Sequence, residues 1–416
     1  MARFRIDSRV AGELNRTLVF DLLRSRQVVS RVGLARETGL SKAAISQIID
    51  EFIADGFVET IGPGESEKGR RPVMLRFAAR SRAAVGVELG DTACRATLTD
   101  LNGDPQRFVS VPVRARSADD AIATAVSLVE ELSGELDPGR LVGIGVGTPG
   151  LVDSHQGTIK MAPDLGWRDV PVGPVLADRF RVPVAVVNRA KAAAVGEAWS
   201  GAGEDADNLI YVSVSTGISA GIVIDQRLYR GVSMSEGELG HVTVDSDGPL
   251  CACGNRGCLQ TVAAGPAILA RVRERLRLGP GASDGALGRA PIDLLSLEDV
   301  AAATDNAIVQ SVLDEAAESL GIAIANLVNT LNPGMVILGG SVMRALPGLV
   351  RRIERIIRQR AMSVSAAVVD VVPSSLGSDA VPIGAAAFLL SQISVVGSAD
   401  VRRDGKGSRP HVLLAT

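Results

Sequence analysis

Residues 141–153 read LVGIGVGTPGLVD. The run from Leu141 to Gly147 is apolar or glycine throughout, as in a strand covered on both faces. Thr148-Pro149-Gly150 then breaks it with a turn. The same grammar recurs on either side. AVGVELGDTACRATLTDLNG (84–103) predicts two alternating strands joined by a tight turn at Gly90. VPVAVVNRAKAAAVGEAWSG (182–201) predicts a strand followed by an Ala-rich helix. LIYVSVSTGISAGIVIDQRLYRG (209–231) predicts a strand, a Ser/Thr/Gly turn and a second strand. A helix from Glu315 to Leu331 leads into NPGMVILGGSV (332–342), a strand ending in Gly-Gly. Strands alternating with helices predict an α/β protein with covered sheets. GPGASDGALGRAP (279–291) reads as a surface loop, and residues 398–416 as a flexible tail.

Composition agrees with a folded chain of several domains. Of 416 residues, 46% are hydrophobic and 22% charged, which excludes disorder as the dominant state. Aromatics are 3%, so the cores are expected to be aliphatic. The 45 glycines follow no three-residue period, which excludes collagen. MARFRIDSRV has no apolar core of the kind a signal peptide needs. The most apolar stretch, Ala380 to Val396, contains Pro382 and Gly384 and reads as a buried terminal helix rather than a membrane span. These features predict a soluble cytoplasmic protein.

Charge is divided unevenly. Residues 1–80 hold 14 basic and 10 acidic residues, leaving 30 basic and 37 acidic for the rest. A basic head on an acidic body suits a nucleic-acid module joined to a small-molecule module. The head carries the pattern to match. In SRVGLARETGLSKAAISQIIDEFIAD (30–55), Ser30 is placed to cap a short helix that Gly39 ends, and Ser41 to cap a second. Ile45, Ile48, Ile49, Phe52 and Ile53 give the second helix a buried face. Ser41, Lys42, Ala43, Ser46 and Gln47 lie opposite, short or hydrogen-bonding residues suited to a major groove. An earlier helix, Glu13 to Arg26, would cover the pair with Leu14, Leu18, Leu22 and Leu23. Phe57–Ile61 and Val73–Phe77 read as strands of a wing whose loop ends in Gly69, Arg70, Arg71 and Pro72. Wing arginines suit a narrow A·T-rich minor groove. An ordinary three-helix packing unit would explain the helices alone, but not the turn, the groove face and the basic wing together.

Three of the four cysteines fall within eight residues. His241, Cys251, Cys253 and Cys258 form a Cys₃His set, the donor chemistry of a closed structural zinc site. Gly254 and Gly257 let the backbone curl around the ion. A cluster of free buried thiols is the competing reading.

ELGDT, GVGTPGLVD, VVNRAKAAAVGE, STGISAG, EGELGH, CACGNRGCLQ and NPGMVILGG resemble, in order and spacing, the ROK family (repressors, open reading frames and kinases). With the winged head in front, residues 10–395 resemble the sugar-responsive ROK repressors. The resemblance implies an N-terminal winged helix–turn–helix over 1–80 and a two-lobed actin-like, ribonuclease-H-like body. The first lobe would span 81–187 and 380–397, and the second, with the zinc site, 188–379. It implies the same four zinc ligands, with the zinc holding the loop of Glu238 and His241 against a sugar. The implied effector positions are Thr148, Pro149, Gly150, Asp164, Asn188, Arg189, Glu238, His241 and Gln260.

The chain departs from the family's kinases where phosphoryl transfer needs it to match. In their V-E-N-D-A-N motif the Asp is the base; here Val186-Val187-Asn188-Arg189-Ala190-Lys191 puts arginine there. Arginine stays protonated, and a lost general base costs about 10²–10⁴ in rate. The phosphate loop D-x-G-G-T reads Glu88-Leu89-Gly90-Asp91-Thr92, and the second loop, G-T-G in kinases, reads Ser215-Thr216-Gly217. A carboxylate at Asp91 would repel a phosphate by about 4 kcal/mol at about 4 Å and an effective dielectric of about 20. Two readings of Arg189 stand side by side. It pairs with Glu238 or Asp164 and plugs the pocket, or with Lys191 it selects an anionic effector such as a sugar phosphate or sugar acid.

The leading expectation is a kinase-inactive transcriptional regulator, a repressor, bound as a homodimer or tetramer to a double-stranded DNA operator and responsive to a sugar or sugar-derived effector. It would lie in the bacterial cytoplasm, at the nucleoid when bound. An ATP-dependent sugar kinase with an accessory DNA arm is the enzyme alternative, and an effector-free DNA-bound scaffold a third.

Overall fold

The computed structural model describes residues 8–64, 71–90, 92–113, 117–278, 291–395 and 412–414. The head opens with the helix Ser8–Arg26, then a short strand Val28–Ser30 and the helices Arg31–Thr38 and Lys42–Ala54. Both caps fall where the sequence puts them. Ser30 Oγ accepts from Gly33 N, Ser41 Oγ accepts from Ala44 N, and Gly39 closes the first helix at φ 72°. Strands Val58–Pro63 and Val73–Phe77 make the wing, and Val28–Ser30 adds an unforeseen third strand beside Val73–Phe77.

One expectation about the head's core changes. The first helix turns Val19, Phe20 and Leu23 inward, while Leu14 and Leu18 are 59% and 47% exposed. The core is mainly aliphatic, as expected, but four phenylalanines gather at its centre. Phe20 lies edge-on to Phe52, Phe57 and Phe77 at 5.9, 5.7 and 5.3 Å between ring centres, a geometry that adds to simple burial.

The body contains two five-stranded sheets of the same plan. The first runs Val184–Asn188, Leu141–Thr148, Ala83–Glu88, Ala93–Asp100, Pro105–Pro112; the second runs Arg227–Leu228, Ile218–Ile224, Leu209–Val214, Met335–Gly339, Asp370–Pro373. In each, an antiparallel meander is extended by two parallel strands beside its first member. This repeated order is the actin-like, ribonuclease-H-like body. Ala83–Glu88 is buried along its whole length rather than alternating, because the helix Ala380–Leu390 crosses one of its faces. That helix is buried as expected. It starts at Ala380 and ends at Leu390, and the long helix before Met335 begins at Ala307, not Glu315, with Asn306 as its cap.

Helix Arg189–Ser200 packs against Ala380–Leu390 with backbones almost touching: a Cβ on Gly384 would fall 1.7 Å from Ala192 O. Its Glu197 is wholly buried and accepts from Ala202 N, Ser374 Oγ, Ser375 Oγ and Leu376 N, which fastens the helix to the strand end at Pro373. Within the expected tail, Val412–Leu414 pairs antiparallel with Ile393–Val395, so that segment is a strand. Arg70, Asp91, residues 279–290 of the expected surface loop and the rest of the tail lie outside the described residues. No helix among the described residues is long and apolar enough to cross a membrane.

Candidate functional site

Parallel strands deliver their last residues to one edge. Glu88 pairs in register with Gly147, and Asn188 with Thr148, so Glu88, the Thr148-Pro149-Gly150 turn and the start of helix Arg189–Ser200 meet at the carboxyl end of the first sheet. Ligands in α/β sheets collect at such an edge. Asn188 holds the corner. Its Oδ1 caps the helix by accepting from Ala190 N at 2.8 Å, and its Nδ2 donates to Gly150 O at 2.9 Å. Asp164 lies exposed on the 3₁₀ turn Pro163–Leu165, just past the strand that packs under Gly150.

Arg189 is the first residue of the helix, and its charge acts on Glu88. Glu88, at the same sheet edge, is a carboxylate that the sequence reading did not name beside Glu238 and Asp164. Burial pushes the Glu88 carboxyl above its ordinary range, and Arg189, Arg95 and Arg344 oppose that rise, Arg95 from a 3.0 Å ion pair. Lys191 is also committed. Its Nζ lies 2.6 Å from Glu236 Oε1 and donates to Met234 O at 2.8 Å, which takes it out of the anion-selecting role.

In the second half of the body, the 3₁₀ turn Leu239–His241 carries His241, with Glu238 immediately before it. The imidazole faces two ways. Nε2 stands 4.0 Å from Glu238 Oε2, and Nδ1 stands 3.6 Å from Cys251 Sγ. Burial raises the Glu238 carboxyl, against the pull of His241 and Lys191. Gln260, expected at the effector, turns its amide to Cys251 Sγ at 3.5 Å and so supports the cysteine cluster.

The donor atoms of His241, Cys251, Cys253 and Cys258 all lie within 4.8 Å of one another. Cys253 and Cys258 Sγ are 3.7 Å apart. With metal–sulfur and metal–nitrogen bonds of about 2.3 and about 2.05 Å, a tetrahedron has S–S and S–N edges of about 3.8 and about 3.6 Å. The cluster therefore has the spacing and the donor chemistry of a four-coordinate metal site. The loop is shaped for it: Gly257 has φ 63°, and a Cβ there would fall 1.4 Å from Asp245 O.

On the head, Ser41, Lys42, Ala43 and Gln47 are exposed along one face, with Ser46 half-buried beside them. Ser41 spends its hydroxyl on the cap, and Gln47 donates to Glu51 at 3.3 Å. Arg71 is exposed at the base of the wing.

Sequence reasoning missed Trp199, Glu197 and Glu236. Trp199 and Glu197 stand out within an otherwise Ala-rich helix, and Glu236 lies just before the ELGH segment; those are the signals that were there to read. Trp199 lies in the last turn of the helix that begins at Arg189. Its Nε1 donates to Asn102 O at 2.5 Å, and its ring lies 4.6 Å from the guanidinium carbon of Arg24 in the head. Gln27 of the head donates to Asn102 Oδ1 at 3.0 Å. Buried apolar residues of head and body, from Val19 and Phe20 through Leu101 to Phe388, form one continuous cluster. One helix thus runs from the cleft to the head.

The ROK family model matches residues 84–392. The xylose repressor of Bacillus subtilis (strain 168) is 32% identical over 386 residues, covering 92% of this chain and 97% of its own length. Among solved structures, a ROK family transcriptional regulator described as a homolog of the Escherichia coli MLC protein superposes with a TM-score of 0.79 at 29% identity, over 91% of this chain and 95% of that one. A ROK family glucokinase from Streptomyces griseus, solved with glucose and AMPPNP, superposes with a TM-score of 0.66 at 28% identity over 74% of this chain and 98% of its own. The regulators match nearly end to end, whereas the kinase is used up on about three quarters of the chain. The chain belongs to the ROK family, among its transcriptional regulators.

Proposed function

We propose that this chain is a sugar-responsive repressor whose body recognises its ligand without phosphorylating it. The observation that carries this reading is Arg189. A guanidinium, whose charge acts on Glu88, stands where the family's kinases keep a base, and it cannot accept a proton. The names of the xylose-repressor relatives support a sugar as the effector class. Glu238, His241 and the Thr148-Pro149-Gly150 turn would contact it, with Asn188 positioning the turn. A zinc ion held by His241, Cys251, Cys253 and Cys258 would have a structural role, since four protein donors leave no open position. Through His241, zinc would fix the face that Glu238 presents.

Output would pass through the head. Ser41, Lys42, Ala43, Ser46 and Gln47 would enter the major groove and Arg70 and Arg71 the minor groove. A homodimer or a tetramer would match two-fold operator symmetry. The domains would run 1–80, then 81–187 with 380–397, then 188–379. The protein would act in the cytoplasm. The test is a phosphoryl-transfer assay with the zinc-loaded chain, ATP–Mg²⁺ and a panel of pentoses and hexoses. This reading expects no sugar phosphate above the uncatalysed background; turnover on any sugar would establish the kinase alternative.

A further inference from the structure

A cavity opens beside the first turn of helix Arg189–Ser200. Its volume is about 110 Å³, and its walls include His155, Asn188, Lys191, Arg230, Glu236 and Phe388. None of its charged residues belongs to the sugar set. The Glu236 side chain is 9% exposed. One of its oxygens is satisfied by Lys191, but Oε2 is buried without a hydrogen-bond partner among the described residues. A buried carboxylate oxygen in that state calls for an O–H or N–H donor. Gly231 lies beside it, where a Cβ would fall 3.1 Å from Oε2. At the mouth, exposed Arg230 is held in place with its guanidinium carbon 5.3 Å from the centre of the Phe388 ring.

We propose that this cavity is a second small-molecule site, for a short hydroxy carboxylate. The ligand's hydroxyl donates to Glu236 Oε2, and its carboxylate is received at the rim by Arg230, whose planar fork matches it. A neutral polyol satisfies Glu236 but leaves Arg230 unused, and a simple carboxylate does the reverse. The volume favours three- to four-carbon ligands, being smaller than the roughly 150 Å³ of a cavity that encloses benzene. The lining residues Val187 and Phe388 belong to the apolar cluster that continues into the head, so occupancy bears on the packing of head against body. The site does not depend on the sugar reading.

The test is calorimetric titration of the full-length, zinc-loaded chain with glycerate, lactate, glycerol and acetate. Glycerate and lactate should bind at least about tenfold more tightly than glycerol or acetate. Arg230→Ala, at an exposed position, should weaken the hydroxy acids about tenfold or more, and Glu236→Gln should abolish the preference for a hydroxyl. Glu238→Gln, at a residue outside the cavity's lining, should leave hydroxy-acid binding within a few-fold of wild type. The proposal is overturned if neither hydroxy acid binds, if binding survives Arg230→Ala unchanged, or if Glu238→Gln removes it.

Discussion

Arg24 of the head stacks over the ring of Trp199, its guanidinium carbon 4.6 Å from the ring centre. Trp199 is one residue from the end of a helix whose first residue is Arg189, and the charge of Arg189 acts on Glu88. A shift at one end of a packed helix is felt at the other, because close-packed interiors move as bodies rather than deforming smoothly.

Removing the tryptophan should therefore break communication before it breaks either function. In Trp199→Ala, operator affinity without sugar should stay within a few-fold of wild type, while sugar-induced release is largely abolished. The cation–π stacking with Arg24 is worth about 0.5–1 kcal/mol at a partly exposed site, so a modest drop in stability should accompany the change. Operator titrations with and without sugar, alongside urea unfolding, separate the two effects.

Stripping the metal should unfold the loop around His241 and the cysteines. Chelation at neutral pH should release one zinc per chain, lower the melting temperature and abolish the sugar response, since His241 Nδ1 would lose its anchor. Cys258→Ser should do the same permanently. Metal analysis paired with scanning calorimetry checks both.

Glu88 predicts a pH dependence. Burial raises its pKa in the folded chain above the ordinary value near 4.5, so the folded state holds that proton more tightly than the unfolded state. Its contribution to stability is full below about pH 4.5 and is lost as pH climbs through the raised folded value. Glu88→Gln should flatten this part of the profile. Unfolding free energies of both proteins, measured from pH 4.5 upward, should converge at the acid end and separate above it. Parallel profiles would remove Glu88 as the source.

The wing assignment makes a prediction about salt. Arg70→Ala with Arg71→Ala should weaken operator binding and reduce the slope of log affinity against log salt by about one for each phosphate that is no longer neutralised. An unchanged slope would take the wing off the DNA.

Much of this was legible in the residues. Caps at Ser30 and Ser41, the left-handed stop at Gly39 and the Cys₃His cluster are local chemistry, written within a few positions of each other. The α/β body was readable for a similar reason, since buried strands such as Leu141–Thr148 have no polar face. What the sequence hid was tertiary. Which face of Ser8–Arg26 turns inward depends on phenylalanines from three later segments. Parallel register brings Glu88 and Asn188 to one sheet edge on either side of Gly147 and Thr148, and the partner of Lys191 lies 45 residues further along the chain at Glu236. Gln260 was assigned to the effector by motif alignment, yet its amide serves a thiol.

The central claim is that a ligand in the body controls a reader in the head. The most direct measurement takes a duplex selected from a random library by the full-length, zinc-loaded protein and follows its anisotropy with and without a panel of pentoses and hexoses. The account predicts a two-fold symmetric site whose affinity falls by about tenfold or more, the usual scale of allosteric coupling, with at least one sugar. Failure to select any duplex over random competitor, or an affinity that no sugar changes, would contradict it.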